Sequence, residues 1–472
     1  MLAGGSQTAI GKEDMTTTIA ADSSNQAYVT VTSDTGRLSL VERGLLFVGI
    51  NEIMLQFDKS VMFHERDADL GAVAGFVVSP MGIALAILYW IWFSNAVGRR
   101  DRAFHSRVVW CTPMLVYLVA VGLSVFSAPV PMLSFNELFL IGQGYLLFFY
   151  LANRIKHRND IVFLVGCLAS ALLVQAVVNF GLKALGPSAY GKFFQIGPIR
   201  LEVWEEGRVA GTMHSAVLAG STMAMIWLPT AALGLCKDVP KGWKTLAAVA
   251  TIAGALGILF TQTRGAILTV LIGSTIIFAG LHYRRWLPKW AVPMALFVCL
   301  VSILPLIRVI QGRIVEGDGG SAESRIHLSA IGLEAISHRP LSGYGAGNCH
   351  IACEEFATQA KYRSLWYYTV HCKYLVVWIE TGLLGLLSYL AILLSGLRFG
   401  WSAWRVRDPL LSPLGLALSA SIVGTMVHMS VDIFNSRIQT HLFWAILGIT
   451  AAVWKLSQSA AERGKTDVSY GS

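Results

Sequence analysis

Charge is what this chain has least of. Asp, Glu, Lys and Arg make up 14% of its 472 residues, against 54% hydrophobic, where a soluble domain carries roughly 25% charged residues. A large soluble core does not require so few charges, so the deficit argues against an ordinary soluble enzyme. There is no glycine-rich phosphate loop, which removes one usual means of holding a nucleotide. No standard spacing of metal ligands is present either, although Cys349, His350, Cys353, His371 and Cys372 fall in one region. A disulfide among those three cysteines, of open connectivity, fits better than zinc. No internal repeat is evident, so the inverted repeats of many transporters find no support. Residues 1–37 are polar and lack an apolar run. They are expected to form a disordered cytoplasmic tail rather than a cleaved signal.

What is abundant is apolar sequence in runs of about 20 residues, the length that spans bilayer hydrocarbon. With a mean hydropathy of +0.58, the chain reads as an all-α integral membrane protein of about twelve transmembrane helices. The runs predict helices near 39–57, 71–93, 108–127, 132–152, 161–185, 212–235, 245–262, 265–281, 291–310, 373–397, 411–433 and 440–455. The first contains Glu42, Arg43, Asn51 and Glu52, and reads either as a span or as an interfacial segment. The membrane domain is expected over 38–455, with a second cytoplasmic tail over 456–472.

The net charge of +9 follows topology rather than a nucleic-acid partner. Arg99, Arg100, Arg102 and Arg107 share one connection, Arg154, Lys156 and Arg158 another, and Lys237, Lys241 and Lys244 a third. Arg284, Arg285 and Lys289, then Arg398, Arg405 and Arg407, then Lys455, Arg463 and Lys465 continue the series. They fall on every second connection, which the positive-inside rule assigns to the cytoplasm. The other side then carries the loop 186–211, a turn at Arg264, the long loop 311–372 and a turn at Arg437. Within the long loop, Ile326, Ala330, Leu333 and Ile336 recur at helical spacing, and Pro340, Gly343, Gly345 and Gly347 end the pattern in a turn.

Three residues on that side carry chemistry. Arg264 lies between two nearly continuous apolar segments, where a charge is costly without a partner or a wet cavity. It reads as an anion contact or as an arginine reaching the interface. Arg325 opens the loop helix, where free N–H groups already favour anions; an ion pair with Glu323 is the alternative. His371 directly precedes a membrane helix, and a neutral imidazole there suits the role of base toward a hydroxyl. Glu202, Glu205 and Glu206 read as a solvated face, and Asp432 and Arg437 as a pair.

These residues sit in motifs that resemble a known family. The segment from Gly207 to His214, with Arg208 followed by Gly211 and Thr212, resembles the Arg-x-x-Gly-Thr element of the O-antigen ligase and polymerase superfamily. Thr263-Arg264-Gly265 resembles its central Ser-Arg-Gly motif. Ser324-Arg325 and Pro340-Leu341-Ser342-Gly343-Tyr344-Gly345 resemble its loop helix and Pro-Leu-x-Gly-x-Gly turn. His371-Cys372-Lys373-Tyr374-Leu375 and Glu380-Thr381-Gly382-Leu383-Leu384-Gly385 resemble its His-Asn-x-x-Leu and Glu-x-Gly-x-x-Gly elements. Cys372 departs from the family's usual Asn. The similarity covers roughly residues 200–400.

The resemblance implies a metal-independent, cofactor-free glycosyltransferase of the bacterial inner membrane, its long, partly helical loop and active site facing the periplasm. It would move a glycan from undecaprenyl diphosphate to a sugar hydroxyl, with His371 catalytic and Arg264, Arg325 and Arg208 on the donor. Polymerisation of O-antigen or exopolysaccharide is the first reading, because nothing marks a lipid A site. Ligation onto lipid A–core and transport of lipid-linked sugars are the alternatives. The implied partners are the lipid-linked donor, a glycan or lipid A–core acceptor, membrane lipids and other polysaccharide-assembly proteins.

Overall fold

Capping chemistry sets where several helices begin. Ser39 and Glu42 form a reciprocal capping box at the start of α1 (Leu40–Leu55). Pro80 opens α2 (Pro80–Gly98), because proline suits the first helical turn and keeps the residue before it out of the helical region. That is why the helix expected from residue 71 starts later. Residues Phe76–Val78 instead form β4, paired antiparallel with β3 (Lys59–Val61). Pro131 likewise opens α4 (Pro131–Arg154), after α3 (Thr112–Ser124).

The chain continues through α5 (Arg158–Ala184), α6 (Ala216–Leu235), α7 (Lys241–Thr261) and α8 (Arg264–Tyr283). Then come α9 (Ser321–His338), α10 (Cys349–Phe356), α11 (Lys373–Arg405), α12 (Leu411–Met429) and α13 (Arg437–Ser469). The computed structural model describes residues 37–57, 59–61, 73, 75–98, 108–197, 199–204, 206–287, 321–357 and 369–469. It also describes a two-residue strand pair, β1 (Thr18–Ile19) and β2 (Val29–Thr30). The expected helix 291–310, most of the N-terminal tail and the arginines at 99–107 lie outside the described residues. Each other expected helix has a counterpart. The last extends to Ser469 rather than 455, because the chain loses hydropathy there while helix formers persist.

Among the described residues, seven helices are long and apolar enough to cross a membrane: α4 to α8, α11 and α12. The protein is therefore a predominantly helical, multi-pass membrane protein. Its α7 and α8 leave Val249, Ile252, Leu256 and Leu268 exposed, as a surface in contact with lipid does. The most enclosed span is α12, which packs on α6, α8, α11 and α13. It approaches α8 closely enough for Thr269 to donate its hydroxyl to the Gly424 carbonyl at 2.9 Å. The loop 186–211 is not irregular. It folds into β5 (Lys192–Ile196), β6 (Ile199–Val203) and β7 (Val209–Gly211), an antiparallel sheet at one end of the bundle.

One break inside a span organises that same end. At Gly382, φ 65° and ψ −169° interrupt α11. The carbonyls of Ile379 and Glu380 accept from the N–H groups of Tyr344 and Gly345, each at 2.8 Å, and the Leu383 N–H donates to Pro340 at 2.9 Å. Trp378 adds its indole N–H to the same Pro340 carbonyl at 3.0 Å. The turn after α9 thereby replaces the helix's own ladder, and α9 and α10 are moored as a cap on α11. A side chain at Gly382 meets the Leu341 carbonyl at 1.9 Å.

We expect Gly382→Ala to cost roughly 3 kcal/mol or more, since strain and backbone overlap add. Gly122→Ala, in α3 with nothing within 4 Å, should be neutral or better. Thermal unfolding of the two purified variants tests this; equal midpoints would refute the mooring role of the break.

Candidate active site

The sequence 208–214 is built into the bundle from both sides. The Thr212 hydroxyl donates to the Met54 carbonyl at 2.7 Å and contacts Gln175 at 2.8 Å. A Cβ at Gly211 would collide with Gln175 at 1.9 Å, which explains the Gly-Thr pair. Arg208 is buried. Its Nε donates to the Thr261 carbonyl at 3.1 Å, its guanidinium lies 4.9 Å from the Trp204 ring, and Glu206 stands 3.7 Å away. Of the three acidic residues read as solvated, Glu206 thus faces Arg208, and Glu202 pairs with Arg200 at 3.3 Å.

Thr261 also ends α7, so Arg208 reaches the chain three residues before Arg264. Gln262 takes a left-handed conformation, φ 51°, and turns the chain at once into α8. Arg264 is the first residue of α8 and is exposed, at a helix end whose N–H groups and dipole favour an anion.

Gly265 has a separate task. Its backbone lies against the His428 ring, where a Cβ would approach to 3.0 Å. His428, buried in the last turn of α12, points its Nε2 at Asp432 across 3.6 Å. Gln439 donates to Asp432 at 3.0 Å and to Ser221 at 3.0 Å. Sequence reading missed His428. The available signal was a histidine ending an apolar helix with an aspartate four residues on, at the same end as Arg264.

The cap supplies the rest. Arg325 is exposed on the first turns of α9, and its charge acts on both His371 and His428, as does that of Asp432. The ion pair considered between Glu323 and Arg325 is not what forms; Glu323 contacts His327 at 3.3 Å. Gly332 lets α9 lie against Val370, where a Cβ would approach to 2.9 Å, and this seats His371 beneath the cap. The His371 Nδ1 is buried without a hydrogen-bond partner among the described residues. Burial, then the Arg325 charge, holds His371 below its ordinary pKa, against the opposing pull of Asp432 and a hydrogen bond to the Thr369 backbone. The structure thus brings Arg325 close enough for its charge to act on His371. Arg264 precedes Gly265, which abuts His428, and Arg208 holds the turn before it.

Two expectations are corrected. Arg437 does not pair with Asp432. It forms a buried ion pair with Glu52 of α1 at 2.8 Å, because α13 begins against α1 while Asp432 turns toward α12. The three loop cysteines are free thiols. Cys349 and Cys353 face each other one turn apart on α10, inside the cap's apolar core. The hydrogen bond with Cys353, and burial, push the Cys349 thiol well above its usual pKa. Among the described residues no group of three or more potential ligands could hold a metal ion.

A helical, multi-pass membrane protein with a cationic, histidine-bearing site under a moored cap is the class these features define. Its residues 247–390 match the family model described as O-antigen ligase. The matched segment includes Arg264, Arg325, His371 and the Gly382 break; Arg208, His428 and Asp432 lie outside it. No curated protein is similar enough to the chain to count as a match.

The Glu52–Arg437 assignment yields a double-mutant cycle. Arg437→Met or Glu52→Gln alone should cost about 3–5 kcal/mol, since each strands a buried polar partner. The double variant should recover much of that loss, whereas Asp432→Asn should show no coupling to Arg437→Met. Thermal or denaturant unfolding of the purified variants reads both results.

Proposed function

We propose that the protein transfers a glycan from a polyprenyl diphosphate, of the undecaprenyl type, to a sugar hydroxyl at the periplasmic face, and that polymerisation is its reaction. The observation that carries this reading is the joint placement of His371 beneath the cap and Arg325 on it. A base and a fixed cation there match the two needs of the chemistry. Depressed basicity keeps the imidazole neutral near pH 7, ready to accept a proton. Cations at the bundle end would take up the negative charge that appears on the diphosphate as its bond to the anomeric carbon breaks.

In this mechanism the acceptor hydroxyl attacks the anomeric carbon. Its proton passes to His371, and the bonding electrons leave with the diphosphate. Arg325 above and Arg264 at the α8 N-terminus contact the diphosphate oxygens, where guanidinium pairs two oxygens at once. Arg208 adds positive charge from behind and holds the α7–α8 turn through the Thr261 carbonyl. Lys and Arg concentrate at the opposite end of the bundle, which supports the orientation.

The test is transfer in proteoliposomes with a defined lipid-diphosphate-linked donor, offering either a second lipid-linked unit or lipid A–core as acceptor. We expect chain extension; product formed on lipid A–core alone would identify a ligase. At matched folded protein, His371→Gln should lower turnover about a hundredfold or more. Arg264→Lys and Arg325→Lys should each lower it about tenfold or more. Wild-type turnover by His371→Gln would remove the base assignment.

The pH profile supplies an independent check. The activity of the neutral base should fall as pH drops through a value below the ordinary 6.5 of histidine. Removing the positive neighbour in Arg325→Gln raises the His371 pKa, so the acid limb should move to higher pH. Removing the negative neighbour in Asp432→Asn should move it lower. An acid limb that moves with neither substitution would show that it belongs to another group.

A further inference from the structure

The end of the bundle remote from His371 holds a cavity of about 870 Å³. It lies where α6, α8, α11 and α12 end or begin. Lys237, Arg284, Arg285, Arg405 and Arg407 line it, and none of the described lining residues is acidic. None of the five pairs with a carboxylate among the described residues. Topogenic charges in a solvated loop spread apart; these converge on one hollow.

One of them is built in. The Arg284 guanidinium stacks 3.7 Å from the Trp404 ring and 5.7 Å from Trp286, and donates to the Ser412 hydroxyl at 2.8 Å. Burial, then the charge of Arg407, pulls Arg284 below its ordinary pKa, so the cluster bears a strain of like charge that an anion would relieve. Arg285 beside it adopts a left-handed conformation, φ 57°, which is uncommon for a side chain other than glycine. A second basic cavity at this end, about 330 Å³ and lined by Arg37, Lys156 and Arg158, makes the contrast. There Arg158 is paired with Asp408.

Guanidinium groups in a cleft without acids suit a phosphate group, which they grip by paired hydrogen bonds. The source of that phosphate is indicated by position. All four helices that frame the cavity are long and apolar enough to cross a membrane, so its mouth lies at headgroup depth. Leu235, Leu281, Leu287 and Pro413 supply apolar walls beside the cations. A headgroup between basic helix ends, with its glycerol and upper chain against such walls, fits both halves of the lining. We propose that this cavity is a binding site for the phosphate headgroup of an anionic phospholipid, separate from the donor site.

The test is native mass spectrometry of the full-length protein in nonionic detergent. It is titrated with phosphatidylglycerol or with phosphatidylcholine of the same chains. Saturable retention of phosphatidylglycerol over phosphatidylcholine is expected. Arg285→Gln/Arg405→Gln/Arg407→Gln should weaken it about tenfold or more. The single Arg407→Gln, which alters one loop charge, should weaken it by a few-fold, with an unchanged unfolding midpoint. Lys241→Gln/Arg398→Gln, on cations outside the cavity, should bind as wild type. Equal retention of both lipids, or equal loss in the control double variant, overturns the site. Millimolar inorganic phosphate should leave lipid retention intact; full displacement by it would mark a site for free phosphate and overturn the lipid assignment.

Discussion

Backbone polar groups left open inside an apolar bundle must be satisfied from somewhere, because hydrocarbon offers no partner. At Gly382 the protein opens such a gap and closes it with a segment nearly forty residues upstream. Two carbonyls and one N–H of α11 are satisfied by the turn Pro340–Gly345. The cap is thus joined to the span by backbone hydrogen bonds that neither partner makes alone. A second set of contacts fixes its other side. Asn348 accepts from the Val130 N–H at 3.0 Å and donates to Ser134 at 3.1 Å, and the Ala346 N–H donates to Ser124 at 3.1 Å. With both sides pinned, α9 has little freedom, and the place of Arg325 over His371 follows from the break in α11.

The same economy governs the charges. Buried ions are stable only when paired or hydrogen-bonded, and three charged groups at this end are so held: Arg437 by Glu52, Arg208 by Thr261, Asp432 by Gln439. Arg264 and Arg325, in contrast, are exposed. Held charges in the wall lie beside exposed charges at the surface. An arriving diphosphate would then meet cations positioned by neighbours that are themselves satisfied, which limits the reorganisation needed when charge develops.

Much of this was legible in the sequence, for identifiable reasons. Spans announce themselves by length and hydropathy, and the loop helix by its spacing, so the recurrence from Ile326 to Ile336 falls inside the helix Ser321–His338. Arg264 and His371 stood out because polar groups beside apolar runs need a reason. What could not be read was pairing across the chain. Pro-Leu-x-Gly-x-Gly and Glu-x-Gly-x-x-Gly appeared as two motifs, yet their glycines serve one junction. Gly343, with φ 69°, and Gly382 meet there so closely that a Cβ on Gly343 would lie 2.5 Å from the Glu380 carbonyl oxygen. Likewise Arg437 was assigned to the nearby Asp432, since nothing local points to Glu52, 385 residues away in sequence. The sheet at 192–211 was missed because its strands are short and half exposed, which blurs their alternation.

The two ends of the bundle use arginine in opposite ways, and the difference bears on what each can do. Around His371 the cations share space with titratable and acidic neighbours, His428 and Asp432. The local potential there is balanced, and a proton or a developing charge can shift it. Around Arg284 the neighbours are indole rings, leucines and more cations. Every charged residue described in the lining of that cavity is positive. A balanced site can take part in a reaction whose charge moves from acceptor to leaving group. A site of one sign can only hold an anion, and it does so most effectively when the anion stays. Chemistry at one end and lipid retention at the other are therefore what the two charge patterns, built from the same residue type, respectively favour.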